Sequence, residues 1–450
     1  MTTENWVAAQ LSDLVRVTSG IGFPKKYQGK QNGLYPVYKV SDVSNAVRNN
    51  NGKADSAGHY VDQYEADELK GEIFEEGVTL FAKIGEAIKL NRRAFVIKPG
   101  LADNNVMAVI PSITESCRFI YHFMNTIDLS EASRSTTVPS IRKSDIETLT
   151  LAVPSLAEQK EIANRLDTLL AQVEATQASL ARIPEILKRF RQSVLAAAVS
   201  GKLTEEWRTK NDSTPWLDGV LGDFINKPTY GSSAKSQKEG LVPVLRMGNL
   251  QNGKLDWADL VYTTDSIEIE KYNLEYGDVL FNRTNSPELV GKTSIYRGER
   301  AAIYAGYLIK ISCLPALNPE FLNYHLNSPS ARAYCYAVKS DGVSQSNINA
   351  KKLAAYPISL PAPAEQTEIV RRVEQIFAYA DSIEQQTKAA LEKVNNLTQS
   401  ILAKAFRGEL TADWRAANPD LISGKNSAEA LLACIKDERK GLKKNSREKR

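Results

Sequence analysis

The chain has 450 residues, of which 42% are hydrophobic and 24% are charged, so it is long enough for about two to four domains. It contains no apolar run near the roughly 20 residues of a membrane-spanning helix, and its first residues lack the pattern of a signal or transit peptide. The four cysteines are too scattered for a disulfide framework or a zinc knuckle. We therefore expect a cytoplasmic protein of ordinary soluble composition.

The basic charge is concentrated near the C-terminus. The formal net charge is +4, but residues 439–450 contain seven basic residues and one acidic residue, so the preceding residues sum to about −2. Bulk charge is thus only weak support for nucleic-acid binding, and any such surface must be a local patch. The basic end is typical of a disordered, solubilising tail, and a binding arm is the alternative.

Residues 1–152 have the pattern of a mixed α and β domain. Short runs of β-branched and aromatic residues, bounded by Gly, Pro and Asn, predict strands at residues 37–40, 78–82 and 95–97. Residues 118–125 predict a single helix. We expect one compact domain of about 150 residues here.

A long helix with a coiled-coil seam is predicted to follow. Ser155 and Glu158 have the spacing of a capping box, and Gly201 is placed to end the helix, which is then about 40 residues and about 60 Å long. Pro184 predicts a kink or break near Ile183. The apolar seam alternates spacings of four and three: Ile162, Leu166, Leu169, Val173, Thr176, Leu180, Ile183, Leu187, Phe190, Val194 and Ala198.

Residues 209–359 have the same kind of pattern as residues 1–152. Strands are predicted at residues 279–281 and 302–311, and a helix at residues 319–326. The two segments differ strongly in sequence but share landmarks, so we expect a common scaffold with different surfaces. These landmarks are Trp6 and Trp216, the Gly-Leu-x-Pro-Val runs that begin at Gly33 and Gly240, and the Gly-x-x-Leu-Phe runs that begin at Gly77 and Gly277.

A second long helix with the same seam follows that segment. Pro363 can occupy its first turn, and Gly408 is placed to end it. The two matching seams predict that the helices pack on each other, and antiparallel packing would relate the two halves by an approximate two-fold. The second seam is Ile369, Val373, Ile376, Ala380, Ile383, Thr387, Ala390, Val394, Leu397, Ile401 and Ala405.

The helices belong to a block that occurs twice, 207 residues apart. Each copy opens on Ala-Glu-Gln-x-Glu-Ile, at Ala157 and Ala364, and closes on Gly-x-Leu-Thr-x-x-Trp-Arg, at Gly201 and Gly408. The repeat divides the chain into segments 1–152, 153–208, 209–359, 360–415 and 416–450. Two equivalent halves suggest a target or partner set that also has two equivalent halves.

A search for catalytic motifs indicates a protein that binds rather than catalyses. Gly291-Lys292-Thr293 resembles the end of a phosphate-binding loop, but Ser286 stands where that loop needs glycine. The base-holding tetrapeptide of amino-methyltransferases and the acidic motif of nucleases are missing from the sequence. The three histidines, His59, His122 and His325, have no metal-ligand spacing.

At the repeated opening and closing motifs, the chain closely resembles the specificity subunits of type I restriction-modification enzymes. Residues 187–192 and 395–410 resemble the enteric type IA group in particular. The resemblance covers the full chain and implies an α+β fold: two similar mixed α/β target-recognition domains separated by two long helices in an antiparallel coiled coil, with a pseudo-two-fold internal repeat. The specific DNA sequence varies within this family and cannot be transferred.

The resemblance also implies partners and cofactors. Each recognition domain would read one half of a split double-stranded DNA target, and the helical spacer would dock two modification subunits. Those subunits would hold S-adenosylmethionine and methylate adenine, while two restriction subunits would use ATP and magnesium; the chain itself would bind no cofactor. Candidate docking or spacer residues are Glu158, Gln159, Leu187, Val194, Trp207, Glu365, Gln366, Val394, Ile401 and Trp414.

Candidate DNA contacts follow from side-chain chemistry and from matching landmarks in the two halves. Arg, Lys, Asn and Gln read base edges, and Lys, Arg, Ser and Thr contact phosphates. A free-standing DNA-binding regulator and a coiled-coil scaffold without DNA specificity remain as alternatives. The candidates are Lys25, Lys26, Tyr27, Lys39, Ser41 and Lys83 in the first half, and Arg246, Asn249, Arg283, Asn285 and Lys292 in the second.

Overall fold

The computed structural model divides the chain into two compact units. Unit 1 comprises Met1–Ser179 and Leu391–Arg450, and unit 2 comprises Leu180–Ala390. The structure describes residue 3 and residues 5–133, 138–343 and 345–448, with the backbone alone from residue 442 onward. The boundary between the units falls inside both long helices. The boundaries of these two units differ from the predicted boundaries of the five segments, so the division into five segments stays a prediction.

Unit 1 contains a five-stranded sheet in the order β2-β9-β6-β7-β4, a three-stranded sheet β5-β3-β8 and the antiparallel pair β1-β10. The predicted strands at residues 78–82 and 95–97 are confirmed as β6 and β7. The strand predicted at residues 37–40 ends at Tyr38 instead, because Val40 begins a helix. The strands are β1 Val7–Gln10, β2 Val15–Ser19, β3 Tyr35–Tyr38, β4 Lys53–Ala54, β5 Tyr60–Val61, β6 Thr79–Ala82, β7 Arg93–Val96, β8 Leu101–Ala102, β9 Val106–Pro111 and β10 Thr150–Val153.

Unit 2 repeats this topology. Its sheets β12-β21-β17-β19, β16-β13-β20 and β11-β24 correspond in order to the main, three-stranded and two-stranded sheets of unit 1. The strand predicted at residues 302–311 is two strands, because a turn at residues 305–307 separates β20 from β21. The strands are β11 Leu217–Val220, β12 Thr229–Tyr230, β13 Val242–Leu245, β14 Leu250–Gln251, β15 Lys254–Leu255, β16 Val261–Thr263, β17 Val279–Asn282, β18 Thr284–Asn285, β19 Thr293–Ile295, β20 Ile303–Tyr304, β21 Leu308–Ile311, β22 Ser340–Asp341, β23 Ser346–Asn347 and β24 Pro357–Leu360.

The predicted short helices are confirmed at α4 and α9, which cover one sheet of each unit with aromatic side chains. The α-helices are α1 Leu11–Leu14, α2 Val40–Asn49, α3 Gln63–Leu69, α4 Cys117–Met124, α5 Lys143–Glu147, α6 Leu156–Val199, α7 Glu205–Lys210, α8 Ser266–Tyr272, α9 Pro319–Leu326, α10 Pro329–Val338, α11 Ala350–Ala354, α12 Pro363–Phe406, α13 Ala412–Ala417 and α14 Ala428–Glu448. Short 3₁₀ helices lie at Lys25–Tyr27, Glu86–Leu90, Thr114–Ser116, Lys202–Thr204, Leu221–Phe224, Met247–Asn249, Pro419–Leu421 and Gly424–Asn426.

The two long helices have the predicted length. α6 and α12 each contain 44 residues. A break near Ile183 is wrong, since α6 continues through Pro184, although the proline removes one backbone donor. A kink at this point stays a prediction. Gly201 and Gly408 follow the helices with φ of +76° and +75°, a left-handed conformation that favours glycine.

The helices pack antiparallel within each unit. In unit 1, Gln177 donates to Asn395 at 3.0 Å, while Arg165, twelve residues earlier, donates to the carbonyl of Leu410 at 2.7 Å. In unit 2, Arg191 contacts Asp381 at 2.7 Å. Arg372, closer to the start of α12, reaches the carbonyl of Leu203 beyond the end of α6 at 2.8 Å. In both units the residue number rises along one helix as it falls along the other, which confirms antiparallel packing.

The predicted seams face inward over most of their length. Ile162, Leu166, Leu187 and Val194 of α6 are buried, and Val394 and Ile401 of α12 are half-buried. Burial of an aliphatic side chain contributes about 1.5–3 kcal/mol, so the seams contribute substantially to the stability of each unit. Three seam positions are exposed: Thr176, Phe190 and Leu397.

The C-terminal helix α14 packs on the core of unit 1. Its Ile435 is buried, and its Arg439 donates to the carbonyls of Ser12 and Val15 at 2.5 and 3.1 Å and to the hydroxyl of Ser112 at 2.6 Å. The backbone is helical through Glu448, so a disordered tail is wrong up to that residue. The basic side chains beyond residue 441 lie outside the described residues.

Candidate nucleic-acid interface

In unit 1, the predicted cations assemble where two strands end. Lys39 follows β3, and Lys83 follows β6. The turn 103–105 joins these positions, because the amide of Asp103 donates to the carbonyl of Tyr38 at 2.9 Å and the amide of Lys83 donates to the carbonyl of Asn105 at 3.0 Å. Strand order, rather than sequence proximity, therefore brings the two lysines to one edge of the fold.

Side chains from the end of β2 and from the loop after it complete this edge. Lys83 Nζ donates to Ser19 Oγ at 3.1 Å, and Lys39 Nζ donates to Gln28 Oε1 at 2.9 Å. Gln28 follows the 3₁₀ helix that carries Lys25 and Lys26, both exposed. The structure thus brings four of the predicted lysines of the first half to one region.

Unit 2 builds the same arrangement from different residues. Arg246 follows β13 and Arg283 follows β17, the counterparts of β3 and β6. The turn 305–307 joins them: the amide of Ala305 donates to the carbonyl of Leu245 at 2.9 Å, and the amide of Arg283 donates to the carbonyl of Tyr307 at 3.0 Å. The sequence prediction that these positions correspond between the halves thus agrees with the backbone pairing.

The cations at this edge of unit 2 have different partners. The guanidinium of Arg283 lies 4.6 Å from the ring centre of Tyr230, and Lys292 Nζ donates to Gln251 Oε1 at 3.2 Å. Arg246 instead pairs with the exposed Asp259 at 3.1 Å. The Nε atoms of Arg246 and Arg283 are buried without a hydrogen-bond partner among the described residues.

The electrostatic character of the edge follows from these partners. Several half-buried arginines elsewhere in the described chain pair with carboxylates, as Arg297 does with Glu320 at 2.6 Å. Four of the edge cations have no carboxylate within ion-pair distance in the described residues and rest on hydroxyl, amide or aromatic groups; these are Lys39, Lys83, Arg283 and Lys292. Their charge is therefore not neutralised inside the fold, and it is available to an anionic ligand such as DNA.

Other predicted contacts are placed less favourably. Asn249 is buried, with its amide donating to the carbonyls of Asp256 and Asp259 at 3.0 and 2.9 Å, so its side chain fixes the local loop and does not face a ligand. Tyr27 is also buried and donates to Glu68 at 2.6 Å. Ser41 is exposed in the first turn of α2, and Asn285 is half-buried in β18.

The repeated Glu residue at the start of each long helix lies at the centre of a buried cluster. In unit 1, the Glu158 carboxylate accepts from Trp6 Nε1 at 2.9 Å, Thr411 Oγ1 at 2.7 Å and Arg415 Nη2 at 2.7 Å. The predicted capping box is therefore half correct. Ser155 Oγ accepts from the amide of Glu158 at 3.2 Å, as a capping box requires. The Glu158 carboxylate, however, bonds to Thr411 and Arg415 of the closing motif.

The second copy of the motif forms the same cluster in unit 2. The Glu365 carboxylate accepts from Thr204 Oγ1 at 2.7 Å, Arg208 Nε at 3.0 Å and Trp216 Nε1 at 3.1 Å. Trp6 and Trp216 are the tryptophans that the sequence marks at the start of each segment. The opening and closing motifs of the repeat are thus explained by one buried carboxylate, a threonine, an arginine and a tryptophan in each unit.

These clusters change the interpretation of the candidate docking residues. Glu158, Gln159, Glu365 and Gln366 are at most 1% exposed, so they hold the spacer together and offer no surface to a partner. Leu187 and Val194 are buried in the seam as well. Trp207 and Trp414 are half-buried and keep part of their surface accessible.

Several residues at the edge could not be recognised from the sequence. Ser19, Gln28, Tyr230 and Gln251 contact the cations, but they are polar or aromatic residues in loops or at strand ends without a recognisable spacing. Strand pairing could have identified two of them. Ser19 pairs with Met107 of β9, and Tyr230 pairs with Ile309 of the corresponding β21.

Neither a metal centre nor a membrane-spanning helix is found among the described residues. No group of three or more His, Cys, Asp or Glu side chains in that part of the chain is arranged to hold a metal ion. No helix in the same residues is long and apolar enough to cross a membrane.

Comparison with known proteins agrees with the repeated architecture. The profile of the type I restriction modification DNA specificity domain matches residues 3–185 and again residues 215–393. The StySPI specificity subunit of Salmonella potsdam is 36% identical over 99% of this chain and 98% of its own length. The EcoKI specificity subunit of Escherichia coli K12 is 44% identical over 74% of each chain. The solved HsdS subunit of Thermoanaerobacter tengcongensis shares the fold, with a TM-score of 0.59 at 18% identity over 91% of this chain and 98% of its own.

The duplicated domain, the repeated spacer helix and the paired cationic edges define a DNA-specificity protein with two recognition modules. The chain belongs to the family of type I restriction enzyme specificity subunits.

Proposed function

We propose that this chain is the non-catalytic subunit that gives a type I restriction-modification enzyme its DNA sequence specificity. Each unit reads one half of a split double-stranded target. The observation that carries the proposal is the cationic edge, which occurs twice on the same backbone framework with different side chains: Lys39 and Lys83 in unit 1, Arg246 and Arg283 in unit 2. A shared framework with different side chains is what two different half-sites require.

The proposed recognition divides the work between the groups at the edge. Arginine, lysine and amide side chains can donate to base edges in the major groove, and the exposed lysines can contact phosphates. The paired helices α6 and α12 fix the number of unspecified base pairs between the half-sites, because a helix of defined length rises about 1.5 Å per residue.

The proposed partners follow from membership of the family. Two modification subunits dock on the helical spacer, hold S-adenosylmethionine and methylate adenine, and two restriction subunits use ATP and magnesium. This chain contributes recognition and binds none of these cofactors. Since its substrate is cellular DNA, its place is the cytoplasm.

Exposed apolar side chains on the spacer support docking in unit 2. Ile186 and Phe190 lie one turn apart on α6 and are 59% and 42% exposed. Together they form a small apolar surface that a partner subunit can cover. Replacing both by lysine should prevent co-purification of the modification subunits and leave the fold intact. Retention of the complex would place the docking face elsewhere.

Methylome sequencing tests the proposed function. Cells that express this chain with its modification subunits should show methylated adenine in a motif of two specified parts separated by a fixed unspecified spacer. Cells with the modification subunits alone should lack that motif. A motif present without this chain would refute the proposal, and DNA binding without a stable complex would favour the free-standing regulator.

A further inference from the structure

The edge of unit 2 carries an arginine, Arg283, that has no carboxylate partner among the described residues. Arg283 leaves the end of β17, a central strand of the main sheet, and its backbone is fixed on both sides. Its amide donates to the carbonyl of Tyr307 at 3.0 Å, and its carbonyl accepts from the amide of Ile348 at 2.9 Å. The backbone from which the side chain extends is therefore well defined.

The guanidinium of Arg283 keeps most of its hydrogen-bonding capacity unused. Among the described residues, the side chain makes one hydrogen bond, a long one of 3.4 Å from Nη1 to the carbonyl oxygen of Gly306. The buried Nε has no partner in that part of the chain. Because a buried donor without an acceptor is unfavourable, turning the guanidinium toward a ligand costs little within the protein.

The ring of Tyr230 lies against this guanidinium. The ring centre lies 4.6 Å from Arg283 Cζ, and the tyrosine hydroxyl accepts from the amide of Ala350 at 3.1 Å, which anchors the ring. In unit 1, the corresponding strand end carries Ser19, which accepts from Lys83. At equivalent strand ends, unit 2 thus supports the planar guanidinium of Arg283, and unit 1 supports the ammonium group of Lys83.

We propose that Arg283 reads a guanine in the second half-site, with Tyr230 as the positioning residue that orients the guanidinium. The inference rests on the proposed function, because it requires that unit 2 binds DNA. A planar guanidinium presents two parallel donors, and guanine O6 and N7 are the matching pair of acceptors in the major groove. Lys83, without a fork, makes no equivalent bidentate contact in the first half-site.

The surroundings favour a base contact over a phosphate contact. A phosphate is satisfied by any mobile cation at the rim, which Lys292 supplies on the same edge. Arg283 is half-buried, stacked on an aromatic ring and free of any described carboxylate partner, so its orientation is restricted while its charge is not neutralised. A bidentate contact to a base edge requires a defined orientation of the guanidinium, whereas neutralising a phosphate requires only a nearby positive charge.

The test uses the assembled complex with its modification subunits. After the methylome gives the target, binding is measured on duplexes with every single-base change in the second half-site. For the unaltered complex, one guanine position should discriminate by roughly 5- to 140-fold, the range expected for a bidentate contact at about 1.4 kcal/mol per tenfold. Arg283→Lys keeps the charge but removes the fork, so discrimination at that position alone should fall toward onefold.

Tyr230 and a control arginine complete the design. Tyr230→Ala should relax the same position, whereas Tyr230→Phe, which keeps the ring but loses the hydrogen bond from Ala350, should retain more of the discrimination than the alanine variant. Arg300 also stacks on an aromatic ring, 4.7 Å from the ring centre of Trp257, but it follows β19 at the opposite end of the sheet, so Arg300→Lys should change no position.

Three results would overturn the inference. These are a second half-site without guanine, unchanged discrimination in Arg283→Lys, and an equal loss of affinity on all sequences with a smaller salt dependence, which indicates a phosphate contact. Failure of the proposed function is distinguishable, because the unaltered complex would then show no split motif at all.

Discussion

Removing the buried carboxylate of Glu365 should loosen unit 2 at one end of its spacer. Glu365 is fully buried and accepts hydrogen bonds from Thr204, Arg208 and Trp216 at 2.7 to 3.1 Å. Breaking a buried pair by deleting one partner typically costs about 3–5 kcal/mol. Since the Arg208 side chain is 28% exposed and can recover some solvent contact, we expect Glu365→Ala to cost about 3 kcal/mol.

The charge and the hydrogen bonds can be separated. Glu365→Gln keeps an acceptor for Thr204 or Trp216 but removes the negative charge opposite Arg208. Because hydrogen bonds to charged groups contribute about 1.5–3 kcal/mol and neutral ones about 0.5–1.5 kcal/mol, the glutamine variant should lose roughly half as much stability as the alanine variant.

Hydrogen–deuterium exchange shows where the stability is lost. Glu365→Ala should speed exchange at the start of α12 and around the 3₁₀ helix Lys202–Thr204, while the start of α6 keeps its protection. The matched variant Glu158→Ala should give the reverse pattern, around Thr411 in unit 1. Unchanged exchange in both variants, or the same change at both sites, would refute the assignment of one cluster to each unit.

Three further predictions concern the spacer and the buried histidines. Leu187→Asp, at a seam position 5% exposed, should cost several kcal/mol in urea unfolding, whereas Ile186→Asp at its 59% exposed neighbour should cost less than about 0.5 kcal/mol; equal costs would contradict the seam assignment. Burial lowers the pKa of His325 to about 4. Because the unfolded histidine binds a proton below about 6.5 and the folded one does not, the free energy of unfolding should fall as the pH drops from 6.5 to 4, and a His325→Gln variant with the same slope would contradict this. Four residues inserted within 164–180 lengthen α6 by about 6 Å, close to two base pairs, and should lengthen the unspecified spacer of the methylated motif without changing either half-site.

Periodicity made the long helices predictable from the sequence. A seam repeated over more than ten positions, with a glycine just after each helix, leaves few alternatives to a helix pair, and α6 and α12 confirm it. The break predicted in α6 at Pro184 does not occur. A proline leaves the carbonyl four residues earlier without a donor, and where the helix is exposed, water can bond to that carbonyl while the helix continues.

The recognition domains were predictable only in outline. The run at residues 302–311 reads as one strand because it is rich in isoleucine and tyrosine, but the chain turns at Gly306 to bring Tyr307 beside Arg283. Such turns are set by strand pairing across the sheet, which local sequence does not encode.

The motif residues show a similar limit. Glu158 has the spacing of a helix cap, yet its carboxylate joins Trp6 and Arg415, which are remote in sequence. Asn249 has the chemistry of a base reader, yet its amide is used within its own loop. The spacing of residues in the sequence indicates which of them can interact locally. Contacts with residues distant in sequence depend on the tertiary fold.

Exchange of residues 1–152 for those of a relative with a different target tests the central claim most directly. If each unit reads its own half-site, methylome sequencing of cells with the exchanged chain will show one changed half-site, while the other half-site and the spacer length stay the same. A change in both half-sites would contradict independent reading by the two units.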